Sequence, residues 1–226
     1  KAYLVTHSVD TGCAGDRVPQ RRLAVVTTST TQAAIDVAVK MLPKKASSFK
    51  VPKAAPDMFA GLLARKTDHV RTIALAEYPR PGTEDQTDFY IFERQPDAAL
   101  VPYHMGSEPA VTVHAGTTEE WVIENWTNEL HTFHIHQLHF RTLEIDGEKV
   151  KDPDLLDVVT VPYATAAGYG SKEGPVRPGR VRVKLYFPPQ FVGDIPFHCH
   201  LTDHEDNGMM AVLRVLPPLA DGPDGS

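Results

Sequence analysis

The residues best suited to chemistry lie in one short segment near the C-terminus, which reads HCHLTDHEDNGM. Within it are one thiol, three imidazoles and one thioether, from Cys199, His198, His200, His204 and Met209. Thiolate, imidazole and thioether ligands together suit copper better than other biological metals. A Cys, a His and a weakly bound Met belong to the ligand list of a blue-copper electron-transfer site, which needs one further His.

A second histidine-rich segment, HTFHIH, can supply that missing ligand. It contains His131, His134 and His136. Because successive side chains of a β-strand point to opposite faces, His134 and His136 share one face and His131 falls on the other. The sequence therefore assigns His131 to the site that holds the sulfur.

The same alternation separates Cys199 from the histidines that flank it, so one strand can serve two metal sites back to back. We call the mononuclear group the sulfur set: His131, Cys199, His204 and Met209. The other group is the imidazole set: His134, His136, His198 and His200. Structural zinc could take Cys199 and three histidines. Zinc would leave the other imidazoles and Met209 without a purpose, and copper is therefore favoured.

The two segments resemble the C-terminal copper motifs of the multicopper oxidases, the family of laccases, bilirubin-oxidase-like spore-coat enzymes and bacterial cuprous oxidases. Those motifs read approximately HPxHxH and HCHxxxHxxxxM, and both occur here in order and at matching spacing. The resemblance covers residues 68–217. Smaller matches are EEW at 119–121 with Asn125, DVVTVP at 157–162 and HEDNGMM at 204–210.

Two positions depart from the motif of that family. Thr132 stands where the motif has Pro, and Gln137 with Leu138 stands where a Gly-containing pair is common. Neither change removes a ligand. The ligand assignment that the resemblance implies can therefore be carried over without a gap.

The resemblance implies a role for each ligand. The sulfur set would bind type 1 copper, His134 type 2 copper, and His136, His198 and His200 the type 3 pair. A small reducing substrate would give single electrons to type 1 copper, and these would cross Cys199 to His198 or His200. At the trinuclear cluster they would reduce dioxygen to water, which makes these three residues the catalytic route.

The cluster of that family needs more imidazoles than this chain offers, and the others come in two His-x-His pairs near the N-terminus of the full enzyme. Both His-x-His pairs of this chain already belong to the imidazole set. We therefore expect an enzyme that is complete only with an N-terminal partner chain or segment of the same oxidase.

Three alternatives to an oxidase fit these residues less well. A stand-alone blue-copper electron-transfer module would have no use for the imidazole set. Copper nitrite reductases pair type 1 and type 2 sites but lack the second His after the cysteine, so His200 argues against them. A copper-storage protein would not need a single sulfur at the centre of a strand.

Other polar residues near the motifs are compatible with more than one role. Asp203 and Glu205 flank His204, either as part of a solvated loop or as groups that steer electron donors or hold His204 by a hydrogen bond. Asp157 is a turn residue, a supporting acid or a substrate contact. His139 does not align with the even-numbered histidines, and Cys13 is interpreted as a small buried residue or loop thiol.

Regular short strands separated by Gly and Pro turns indicate an all-β sandwich or barrel from His69 onward. By resemblance this is a cupredoxin-like Greek-key domain over residues 68–217. Its strands are predicted at 69–77, 89–93, 110–113, 121–125, 140–145, 158–161, 181–187, 196–200 and 210–215.

The segments on either side are assigned more coarsely. Residues 1–28 contain two predicted strands and resemble the tail of a preceding cupredoxin domain. Residues 29–67 form a partly helical linker, with one helix from about Thr30 to Leu42 and a second, short one over 57–65. Residues 218–226 are a frayed Pro- and Gly-rich tail.

Composition sets outer limits on function. The chain has 226 residues, of which 42% are hydrophobic, enough for a packed core. A net charge of -6 without a basic cluster argues against nucleic-acid binding, and no apolar run reaches the roughly 18 residues that span a bilayer. Two cysteines provide no disulfide framework.

Cellular location and electron donor follow only from the resemblance. A periplasmic or secreted location is expected, with any export signal removed or absent from this chain. Phenols, bilirubin-like pigments, cuprous ion and manganous ion are all oxidised within the family. The five Met residues do not form a Met-rich segment, which favours an organic donor.

Overall fold

The computed structural model describes residues 2–9, 11–12, 19–26, 57–83, 85–96, 100–165 and 177–219. The predicted helix near residues 30–42, most of the linker, Cys13 and most of the C-terminal tail lie outside these ranges. The chain divides into two compact units, and the larger one holds Phe59–Ser226 together with Gly12–Gly15.

The smaller unit contains an antiparallel hairpin. Strands β1 (Ala2–Val5) and β2 (Arg22–Val26) pair with Ala2 opposite Val26, and the register shifts between Leu4 and Val5. Apolar side chains of the hairpin, including Tyr3 and Leu23, are exposed. Two strands flanking a loop agree with the sequence pattern.

The larger unit is built from two β-sheets. The seven-stranded sheet has the order β10-β8-β12-β6-β3-β4, with β9 paired to β8. Its strands are β3 (His69–Pro79), β4 (Thr87–Glu93), β6 (Thr118–Asn125), β8 (Phe140–Ile145), β9 (Glu148–Lys149), β10 (Leu155–Leu156) and β12 (Gly179–Tyr186). Only β3 and β6 pair in parallel in this sheet, as far as the described residues show.

The five-stranded sheet has the order β11-β7-β13-β14-β5. Its strands are β5 (Val111–His114), β7 (His131–Ile135), β11 (Val158–Val161), β13 (Gly193–Cys199) and β14 (Met210–Leu216). Strands β14 and β5 are parallel, and the other pairs named are antiparallel. Both histidine-rich segments therefore lie on adjacent strands, β7 and β13, at the interior of this sheet.

A single aromatic and aliphatic core is shared by residues of both sheets. At its centre the Trp121 ring lies 5.7 Å from the Phe197 ring and 6.4 Å from the Phe133 ring, centroid to centroid, with steep interplanar angles. All three side chains are fully buried. Edge-to-face packing of this kind adds about 0.5–1.5 kcal/mol per pair beyond the burial of apolar area.

The all-β prediction is confirmed, and the predicted strands of the larger unit are present with ends displaced by a few residues. The short helix expected over 57–65 is wrong in type: a turn leads into one 3-10 turn, Leu62–Ala64. Gly61, with φ 69°, takes the left-handed conformation there, which an α-helix cannot continue through. A five-residue helix α1 (Thr202–Asp206), not expected from the sequence, follows β13.

None of the helices among the described residues is both long and apolar enough to cross a membrane.

Candidate metal centre

The side chains of strand β7 point alternately into the core and towards the opposite face. His131, Phe133 and Ile135 are fully buried, whereas Thr132 and His134 are half-buried. The separation predicted between His131 and His134 is therefore present in the structure.

Strand β13 completes the arrangement through its register with β7. His198 lies opposite His134, and Cys199 lies opposite Phe133. The Cys199 side chain is fully buried in the core cluster, and the flanking His198 ring packs against the His134 ring with centroids 5.3 Å apart. Two segments more than sixty residues apart in the chain thus contribute to the same two faces.

Three side chains of the sulfur set converge on one point inside the barrel. Cys199 Sγ lies 3.7 Å from His131 Nδ1 and 3.8 Å from His204 Nδ1. The two Nδ1 atoms are 3.0 Å apart. Exposed fractions of 0% for His131 and Cys199 and 9% for His204 exclude bulk water from this group. One sulfur and two imidazole nitrogens form the His₂Cys arrangement that suits copper.

Met209, the fourth member of the sulfur set, is fully buried next to this group. Its amide donates to the His204 carbonyl at 2.9 Å, and its carbonyl accepts from the Cys199 amide at 3.0 Å. Gly208 makes the return from α1 possible, because it has φ 112° and a Cβ there would lie 2.8 Å from the Phe89 carbonyl oxygen. A side chain at position 208 would strain the turn that brings Met209 beside the other ligands.

Burial keeps the imidazole of His131 neutral. Desolvation, with a smaller contribution from His204, lowers the pKa of His131 to about 3. Burial raises the pKa of the Cys199 thiol, and hydrogen bonds from the backbone amides of Thr132 and Leu201 oppose that rise. A neutral imidazole keeps a lone pair for a metal, and metal binding would displace the thiol proton.

The outer edges of both imidazoles are held by groups that the sequence did not identify. Thr127 Oγ1 lies 2.8 Å from His131 Nε2, and Glu129 Oε1 lies 3.3 Å from His204 Nε2. The Phe89 ring stacks on His204 with centroids 4.3 Å apart and planes 12° apart. With each Nε2 engaged in this way, the Nδ1 atoms are left to face the sulfur. Such outer contacts orient metal ligands in general.

Sequence reasoning missed these groups for a physical reason. Thr127 and Glu129 precede the HTFHIH segment by a few residues, and their sequence context indicates only a turn. Phe89 lies on β4, far from this segment in the chain. The only sequence feature that could have indicated a role for Thr127 and Glu129 was their position a few residues before His131.

The imidazole set lies together on the opposite face. His136 Nε2 is 3.0 Å from His198 Nε2, and the His200 ring lies 5.2 Å from His134 and 5.5 Å from His198. His134 Nδ1 is held 2.9 Å from the backbone oxygen of Asp157. His136 and His200 are exposed, so this group opens to the outside of the described part of the chain.

The acidic residues singled out from the sequence fall in different places. Glu205 Oε2 lies 3.1 Å from His198 Nδ1, beside the imidazole set. Asp203 accepts hydrogen bonds from the Asn207 side chain at its backbone and carboxylate oxygens, which secures the end of α1. Asp157 contacts His134 through its backbone carbonyl. The acidic residue in contact with His204 is Glu129.

Two further positions near the first segment have local structural explanations. His139 packs against the Phe59 ring at 5.3 Å, and its buried Nδ1 has no hydrogen-bond partner among the described residues. Gln137 has φ 60°, a left-handed conformation at the end of β7 that favours glycine. The sharp turn after His136 is therefore retained without glycine.

Two sheets around one core, with a buried His₂Cys group beside a cluster of histidines, define a cupredoxin-like copper protein. The sequence model of the family described as multicopper oxidase matches residues 80–218. The chain belongs to the multicopper oxidase family, as its motifs predicted. Copper is the metal of this family, and the group formed by His131, Cys199 and His204 fits a type 1 site.

Two known proteins are similar to this chain, one in sequence and one in fold. A laccase of Haloferax volcanii is 36% identical over 120 residues, which is 51% of this chain and 18% of the laccase. The solved structure of a multicopper oxidase from Campylobacter jejuni, described as a metallo-oxidase, superposes with a TM-score of 0.58 at 18% identity. That match covers 94% of this chain and 40% of the other, so this chain spans well under half the length of both relatives.

Proposed function

We propose that this chain is the C-terminal part of a laccase-like multicopper oxidase. In this function it takes single electrons from a reducing substrate at the sulfur set and delivers them to a trinuclear copper cluster that reduces dioxygen to water. One observation carries the proposal: Cys199 lies in the buried sulfur set, while His198 and His200, bonded to it on either side, belong to the imidazole set.

The sulfur set is suited to hold type 1 copper. His131 and His204 direct Nδ1 atoms at the Cys199 sulfur in a dry interior, and Met209, which is buried and bonded through its backbone to Cys199 and His204, would supply the weakly bound thioether. Copper in such a site exchanges one electron at a time. The rigid surroundings limit rearrangement of the ligands when the charge changes.

The imidazole set is suited to share type 2 and type 3 copper with a second group of histidines. We assign His134 to type 2 copper and His136, His198 and His200 to the type 3 pair. Exposure of His136 and His200 supports a site that is finished from outside the described residues. We infer that an N-terminal chain or segment of the same oxidase supplies two His-x-His pairs there.

Covalent continuity explains how the two sites act together. The peptide bonds from Cys199 to each neighbouring histidine join the faces, and His198 Nδ1 lies 3.0 Å from the Cys199 carbonyl oxygen as a second connection. Electrons therefore have a short bonded route through the chain itself. We propose an organic, laccase-like donor and a periplasmic or secreted location, on the strength of family membership.

Measuring copper content and the visible spectrum on the protein isolated with every associated chain tests this proposal. The expected result is an intense blue band, copper in excess of one ion per chain, and a partner chain or segment with two His-x-His pairs. Oxygen consumption with a phenolic donor should accompany them. A blue protein with a single copper and no partner would make this chain an electron-transfer module and overturn the oxidase function.

A further inference from the structure

The backbone amide of Thr132 points at the sulfur of the buried cysteine. The Thr132 nitrogen lies 3.4 Å from Cys199 Sγ and donates a hydrogen bond to it. The Thr132 carbonyl accepts from the His200 amide at 2.7 Å. Both polar groups of the Thr132 backbone are therefore turned towards the end of β13.

This direction leaves the Thr132 amide outside the pairing between β7 and β11. Thr132 lies opposite Thr160 of β11 in an antiparallel register. Because the N–H and C=O of one strand residue point to the same side, a residue that directs both at β13 makes no ladder bond to β11. The N–H of Thr132 is thus available for the hydrogen bond to Cys199 Sγ.

Surroundings make this hydrogen bond strong. The Cys199 side chain is fully buried, and a hydrogen bond in a dry interior is electrostatically stronger than one in water. Hydrogen bonds to an ionised acceptor are also stronger than those between neutral groups, and a metal-bound cysteine is a thiolate. An N–H dipole aimed at the thiolate reduces the electron density that the sulfur can share with a metal.

We propose that the backbone N–H of Thr132 raises the reduction potential of the type 1 site through its hydrogen bond to Cys199 Sγ. This inference rests on the proposed function. Less donation from sulfur destabilises the oxidised metal more than the reduced one, and hydrogen bonding around the cysteine is a recognised determinant of this potential. Thr132 is accordingly a positioning residue that acts through Cys199.

The contact depends on the backbone amide and not on the threonine side chain. The Thr132 side chain is half-buried on the face opposite to His131 and Phe133, away from the sulfur. Any residue with an N–H can therefore make the contact, whereas proline cannot. Proline also removes no ladder bond at this position, which is the condition for tolerating it in a strand.

The test compares Thr132→Pro with Thr132→Val in the copper-loaded protein. Both variants lose the hydroxyl, and only the first loses the N–H. Potentials are measured by spectroelectrochemical titration of the blue band, with the band position recorded as a second signature. Unfolding of the metal-free proteins is followed as a control for stability. We expect a lower potential and a displaced band for Thr132→Pro, and parental values for Thr132→Val.

Equal potentials for the two variants would overturn the inference while leaving the oxidase function intact. A parent protein without a blue band would instead overturn the proposed function and this inference with it. If Thr132→Pro does not fold, the residue is replaced by its α-hydroxy-acid analogue, which exchanges N–H for oxygen without a ring. The same fall in potential is expected there, and an unchanged potential would again refute the role of the amide.

Discussion

The sulfur set and the imidazole set draw members from opposite faces of β7 and β13, and they differ in burial and in the groups that surround them. The first lies in the core, with His131 and Cys199 at 0% exposure, and all four of its candidate ligands belong to the described residues. The second has two exposed histidines, His136 and His200. Strand alternation, together with the pairing of β7 and β13, places a closed group and an open group back to back.

The same contrast appears in what holds each imidazole. His131 and His204 are enclosed by Thr127, Glu129 and Phe89, so their orientation is determined before any metal binds. In the imidazole set the rings contact one another, and His134 and His198 also contact Asp157 and Glu205. Partial desolvation, and then the neighbouring rings of His134 and His198, lower the pKa of His136. The first group is therefore held in place by its surroundings, and we propose that the second is completed by an N-terminal chain or segment of the same oxidase.

The largest effect is expected from Cys199→Ser, which removes the only residue shared by the closed site and the covalent route. The blue band and turnover should vanish together, because the charge-transfer chromophore and the bonded route both need the sulfur. Absorption spectra and oxygen consumption on one preparation measure this. A blue and active Cys199→Ser protein would refute the assignment of the sulfur set.

His136→Ala should impair the imidazole set while leaving the sulfur set unchanged. We expect loss of oxygen consumption with retention of the blue band, since His136 lies on the face away from Cys199 and contacts His198 instead. Copper content should fall without loss of the type 1 signal in electron paramagnetic resonance. His139→Ala, in the same turn but outside both sets, is the control. Loss of the blue band on His136→Ala would mean that the sites are not independent.

Glu129→Gln probes the preorganisation of the closed site. Removing a carboxylate 3.3 Å from His204 Nε2 takes away negative charge and a partner that orients the ring. The type 1 potential should rise, and copper affinity should fall by about 10- to 100-fold, the usual cost of losing such an outer partner. Chelator competition and redox titration measure the two effects.

Glu124→Gln is the matched control for that prediction. Glu124 is 3% exposed and paired with Arg94 and Arg180, so it is a buried carboxylate like Glu129 but outside the copper groups. It should reduce thermal stability without moving the potential. Equal shifts for the two variants would show that Glu129 acts through general destabilisation.

Met209→Leu should leave the blue site in place and change only its reduction potential. An apolar side chain at the weak axial position stabilises the reduced metal, so the potential should rise while the blue band persists. Redox titration checks the direction. A potential that stays the same or falls would remove Met209 from the ligand list.

The smallest effect is expected from Asp194→Asn, a reference on the same sheet outside both sets. A hydrogen bond from Arg214, 2.7 Å away, holds the pKa of Asp194 below its ordinary value. A lowered carboxyl pKa stabilises the fold above the unfolded-state pKa, and the contribution is lost as pH falls through the folded-state pKa. Because the pair is exposed, that contribution is small. Thermal unfolding at neutral pH and in acid should differ little between variant and parent, and the potential should not change.

Local rules account for the parts of this molecule that could be predicted from the sequence. The period of two in a strand assigns His131 to one face and His134 to the other, and does the same for Cys199 and His198. The spacing of His204 and Met209 after the cysteine permits a loop to return, which α1 and Gly208 carry out. These features depend on backbone geometry within a few residues.

Contacts between distant segments were decided only by the tertiary structure. The register that sets His198 opposite His134, the carboxylate of Glu129 at His204, and the amide of Thr132 at the cysteine sulfur all depend on how separate strands align. Such alignment follows from packing the whole core and has no signature in a short window. The candidate ligands could therefore be predicted from the sequence, whereas the groups that contact them could be identified only from the fold.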